Sequence, residues 1–67
     1  MDWDDTQEIA EKLSETHPEI TDPYSMRFTE LFQWVIHLEG FEGDKAPQTS
    51  MEGKLENIVK AWAEYLQ

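Results

Sequence analysis

The chain has no cysteine, only five basic residues, and no apolar run longer than three residues, as at Trp34-Val35-Ile36. Without cysteine there can be no disulfide, no thiol nucleophile, no zinc ribbon and no cysteine-ligated iron–sulfur cluster. A membrane-spanning helix needs about 20 consecutive apolar residues, and nothing here approaches that. The opening Met-Asp-Trp-Asp-Asp has neither the basic nor the apolar region of a secretory signal, so the sequence is expected to work in the cytoplasm. Five bases face fifteen acids, a net charge of −10. Such a chain repels nucleic-acid phosphates and anionic membrane surfaces and is drawn to basic protein faces and to cations.

What is present is a small core. Of the 67 residues 39% are hydrophobic, including three Trp, three Phe and two Tyr, which is too apolar for a disordered acidic tail. Sixty-seven residues make one domain, residues 1–67, read here as a monomer. A chain this short buries only about 60% of its unfolded surface, so its stability is modest.

Three helices can be read, which makes the fold class all-α. The first begins at Asp4 or Asp5, with Asp5 and Glu8 at capping-box spacing, and ends by His17 because Pro18 disfavours helical geometry before it. Its inward face is thin: Ile9 and Leu13, with Thr6 and Ala10 beside them. Thr21-Asp22-Pro23 marks a turn, Ile20 and Met26 are anchors to the core, and Met26-Arg27-Phe28 suits a short extended stretch. Thr29 is the expected cap of a second helix carrying Leu31, Trp34, Val35 and Leu38, broadened by Phe32 and Ile36 and stopped by Gly40. This helix is expected to be the most buried, with Trp34 in the core.

Residues 40–50 read as a loop. Its acids, Glu39, Glu42 and Asp44, lack the spacing of a calcium loop and are expected to be solvated. Thr49 with Glu52 forms a capping box for a third helix, on which Leu55, Ile58, Val59, Trp62 and Leu66 recur at helical spacing. Gly53 in its first turn points to close packing or to fraying. Trp3 is expected to cover the start of the first helix.

The charge is unevenly placed. Residues 1–22 hold eight acids against Lys12 alone, a surplus of seven, whereas residues 23–67 have a surplus of only three. Asp4, Glu8, Glu11 and Glu15 stand at i, i+4, i+7 and i+11, one stripe roughly opposite Ile9 and Leu13. A solvated face is the ordinary meaning of such a row. Against it, like charges at this spacing destabilise a helix by about 0.2–0.5 kcal/mol per pair. The helix dipole also disfavours Glu15 near the C-terminal end. A stripe that costs stability in a small domain is a candidate binding surface. Rows of carboxylates suit hard cations, and without imidazole or thiolate such a site is shallow, wet and weak.

No catalytic constellation is present. His17 and His37 are not linked by spacing and read as surface or capping residues, and no serine has nucleophile-elbow glycines around it. An enzyme is not expected.

Trp3, Asp5, Glu8-Ile9, Leu13, Pro18, Asp22-Pro23, Arg27-Phe28-Thr29, Gln33-Trp34, Leu38-Glu39, Phe41, Leu55-Glu56, Ile58 and Trp62 occur in an order that resembles the IscX family over nearly the whole chain. That family consists of small acidic proteins encoded with bacterial iron–sulfur cluster assembly machinery. The resemblance implies a modified winged-helix fold of three helices with a reduced wing. It also implies a cytosolic adaptor or regulator that binds the cysteine desulfurase and weakly binds ferrous iron. The metal positions it carries over are Asp5, Glu8 and Glu11, with no tightly bound cofactor. Asp4 and Glu15 join them from the stripe as partner-binding residues. The family's central loop is often richer in Asp than Glu39–Lys45 is here, so no role is carried over to that loop. The alternative is a winged-helix-like interaction or DNA-associated regulator with no metal role. For DNA, however, Glu52, Glu56 and Glu64 outnumber Lys54 and Lys60 on the third helix, the wrong sign for phosphates.

Overall fold

A computed structural model describes residues 1–46 and 51–67. It consists of α1 (Thr6–Thr16), a short 3-10 turn (Pro23–Ser25), α2 (Phe28–Ile36) and α3 (Met51–Tyr65). Among the described residues there is no strand, so the fold is all-α; the winged-helix comparison rests on the family resemblance alone. The capping box at Thr49 lies outside the described residues.

Helix α1 follows its sequence signals with one change at the start. Asp5 occupies the N-cap position but makes no side-chain capping bond into the helix; its Oδ2 accepts from the Asp2 amide at 2.9 Å instead. The helix ends as expected, with His17 at the C-cap before Pro18. Ile9, Ala10 and Leu13 are buried, the thin apolar face the sequence indicated.

Helix α2 starts one residue before the expected cap. Arg27, extended at φ −80° and ψ 143°, takes the N-cap position and Phe28 opens the helix, which leaves Thr29 inside the first turn and not at the cap. Met26 is extended as well, with ψ 147°. The helix closes at Ile36, ahead of Gly40, and the His37 ring nitrogen Nδ1 lies 2.7 Å from the Gln33 carbonyl oxygen. Gly40 serves the turn that follows, at φ +82°, where only glycine is free of strain.

Helix α2 exposes only Thr29, Glu30 and Gln33, as its apolar pattern indicated, while the longer α3 supplies more of the core. Met51, Leu55, Ile58, Val59, Ala61 and Trp62 are all buried on it, and α1 packs chiefly against it. Trp62 is fully enclosed, and its indole nitrogen has no hydrogen-bond partner among the described residues. Leu66 corrects the apolar stripe. It directly follows the last residue of α3, its amide still donates to the Trp62 carbonyl oxygen at 3.1 Å, and its side chain is 42% exposed at the helix end. Among the described residues nothing lies within 4 Å of where a Cβ on Gly53 would stand, so close packing against them does not explain it.

Trp3 does more than cover a helix end. It stacks on Phe32 with ring centroids 5.3 Å apart, meets Phe41 edge-on at 5.1 Å, and donates from Nε1 to the Asp44 carbonyl oxygen at 2.7 Å. The Glu42 amide donates to the Met1 carbonyl oxygen at 2.7 Å, and Met1 N donates to the Gly40 carbonyl oxygen at 3.2 Å. The central loop is therefore fastened to the N-terminal segment along one side. Its carboxylates point out as expected, but Phe41 and Gly43 pack inward against Trp3.

Candidate functional site

Burial of Ile9, Ala10 and Leu13 against the rest of the core turns Glu8, Glu11 and Glu15 outward. All five of Asp4, Asp5, Glu8, Glu11 and Glu15 are exposed. They fall into two groups. Asp4 and Asp5 are tied into the fold: Asp4 Oδ1 pairs with Lys54 Nζ of α3 at 2.7 Å, and Asp5 holds the Asp2 amide. The Asp4–Lys54 pair is wet, with the carboxylate side chain 82% exposed, and contributes little by itself. Among the described residues, Glu8, Glu11 and Glu15 have no side-chain hydrogen bond and no ion pair, and Glu8 does not close on Lys12. These three carboxylates are available to a partner without breaking anything internal.

As a metal site the same stripe is open. Among the described residues no three His, Cys, Asp or Glu side chains gather closely enough to enclose a metal ion. Fe²⁺ prefers several ligands at fixed distances, and a row spread along a helix offers one or two carboxylates at a time. Among the described residues this donor set does not enclose a metal ion.

One arrangement was not visible in the sequence. Pro18 ends α1 at His17, and the His17 ring lies flat on the Trp34 indole, centroids 3.6 Å apart and planes 4° from parallel. Trp34 itself is only half-buried, which corrects its expected core position; its far side leans toward Trp62 at 6.5 Å. A cleft of about 920 Å³ opens here between the end of α1 and α2, with His17, Trp34 and His37 in its wall and Glu15 and Glu39 at its edge. The two histidines, unrelated by spacing, thus share one cleft. The only local hint was a histidine before proline at a helix end. His17 Nδ1 also lies 3.4 Å from Glu19 Oε2.

Among the described residues no helix is long and apolar enough to cross a membrane. The comparisons with known proteins agree with the resemblance seen in the sequence. A protein-family model described as iron-sulphur cluster assembly matches residues 1–67. An uncharacterized protein of Pseudomonas aeruginosa is 44% identical over 64 residues, covering 96% of this chain and 92% of that protein. Because that family model matches residues 1–67, the whole of this acidic three-helix chain, the protein belongs to the iron-sulphur cluster assembly family.

Proposed function

We propose that this protein is a non-catalytic adaptor or regulator of cluster assembly that docks the acidic face of α1 on a basic face of the cysteine desulfurase. The observation that carries the reading is the row of Glu8, Glu11 and Glu15, exposed and without internal partners, on a helix whose opposite face is core. Asp4 and Asp5 extend the negative field at the helix start while remaining engaged with Lys54 and the Asp2 amide. A net charge of −10 steers the chain toward a basic partner and away from nucleic acid and anionic membranes. In this reading the protein acts as a cytoplasmic monomer.

Ferrous iron is the second half of the proposal. Asp5, Glu8 and Glu11 are hard ligands of the right kind, and their spread along the helix makes binding weak and exchange fast. Iron is then carried or sensed, not held.

Gel filtration of the protein mixed with a cysteine desulfurase, at low and at high salt, tests the docking. Co-elution at low salt that weakens at high salt supports it, since exposed charges are screened beyond a Debye length of about 8 Å at physiological ionic strength. Separate elution at low salt refutes it.

A further inference from the structure

We infer that the cleft between α1 and α2 takes an arginine side chain presented by a basic protein face; the identity of that face as the docking partner rests on the function proposed above. Four observations lead there. First, the acidic row runs into the cleft, since Glu15 is both its last member and part of the cleft edge. A partner whose cations follow the row arrives at this opening. Second, Glu39 comes from beyond α2 and adds a second exposed carboxylate to the lining. Lys12 supplies one ammonium against these two, so the lining stays net negative. Third, the wall carries two parallel rings: His17 covers one face of Trp34, and Trp62 stands toward the other. The flat surface left to a ligand is the outer face of half-exposed His17, with the rim of half-buried Trp34 beside it. Fourth, the space of about 920 Å³ exceeds what a single side chain fills, so a long side chain enters without rearrangement of the helices.

The chemistry selects arginine over lysine. A guanidinium is planar, weakly hydrated and able to lie on an aromatic face while its edge hydrogen-bonds a carboxylate in a fork. An ammonium is a strongly hydrated point charge that gains less from the flat wall. A phosphate-bearing ligand meets two carboxylates and is disfavoured.

The test is a titration of the ¹⁵N-labelled full chain with N-acetyl-arginine methylamide, and separately with the lysine analogue. The expected result is a shift of the Trp34 indole N–H and of the His17 and His37 amides, at least threefold larger for arginine, with the Trp62 indole unmoved. Glu39→Gln, an exposed substitution outside the helices, should reduce that response at least threefold. Equal responses to the two analogues, or shifts centred on Glu8 and Glu11, overturn the inference. A second arm measures binding to the cysteine desulfurase. If Glu39→Lys weakens it at least fivefold while the fold is retained, the cleft is part of the interface. If Glu39→Lys has no effect while reversal of Glu8 and Glu11 abolishes binding, the cleft inference fails and the docking reading stands. If the arginine analogue fills the cleft but neither variant alters desulfurase binding, the docking reading fails and the cleft remains an arginine site for another basic protein.

Discussion

His17 lies parallel to Trp34 at 3.6 Å and so joins the end of α1 to α2 through two rings that are both partly open to solvent. Trp34 and Trp62 therefore differ in kind, although both stand on apolar helical stripes. Trp62 is at 0% exposure and is the largest fully buried side chain.

Trp62→Ala is expected to unfold the protein or nearly so. Truncating a buried aromatic costs about 3–5 kcal/mol, close to everything a domain this small holds. Trp34→Ala should retain a cooperative transition at a lower midpoint, losing a stacked pair of about 0.5–1.5 kcal/mol and part of its burial. Urea melts followed by far-UV circular dichroism check both. Equal losses would mean that Trp34 is as central as Trp62.

The glycines give substitutions of opposite sign. Gly53→Ala on α3 meets no neighbour among the described residues and should raise stability by about 0.5–1 kcal/mol through helix propensity. Gly43→Ala places its Cβ 2.6 Å from Phe41 Cζ and 2.9 Å from Trp3 Cδ1. Those rings belong to the core, so the change should destabilise by about 1–3 kcal/mol. A thermal melt that moves both variants in one direction would contradict this account.

Reversing Glu8, Glu11 and Glu15 to Lys should abolish desulfurase binding and leave the helical spectrum unchanged. The fold survives because the three side chains are exposed and make no hydrogen bond or ion pair among the described residues. The repulsion they exchange with Asp4 and Asp5 also turns to attraction, against new repulsion with Lys12 of similar size. Reversal of the exposed Glu52, Glu56 and Glu64 on α3 changes the charge equally and serves as control. Losses of the same size in both triple variants would leave net charge, not the α1 face, as the determinant.

Addition of Fe²⁺ should broaden amide signals at Asp5, Glu8 and Glu11 in fast exchange, with millimolar metal needed for saturation. Glu8→Gln with Glu11→Gln should remove most of the effect. Broadening confined to His17 and His37 would move the iron site to the cleft and away from α1.

The helices were legible because periodicity and punctuation agree: Pro18 stops α1, and Leu55, Ile58, Val59 and Trp62 mark one face of α3. Boundaries slipped where a cap can be supplied by backbone alone, as at Arg27 in place of Thr29. The acidic stripe could be read because it lies on a single helix. Its division could be read only in part, since Asp4 is engaged by Lys54, 50 residues away, and Asp5 by the nearby Asp2 amide. The cleft was hidden for the same reason: His17, Trp34 and Glu39 meet only once α1 and α2 are packed. Trp3 likewise found its partners 29 and 41 residues away, beyond any local pattern.

An α-helix is also a ruler. It rises about 1.5 Å per residue, so Glu8, Glu11 and Glu15 are marks at successive intervals of about 4.5 Å and about 6 Å along α1. Because Trp3, Asp5 and Lys54 fix the start of α1 against the loop and α3, those marks hold their place before any partner arrives. A complementary surface is then defined by distances as much as by sign. Cations on one strand recur about every 6.6–6.8 Å at alternate residues and would match only the longer interval. A second helix, with bases three and four residues apart, reproduces both.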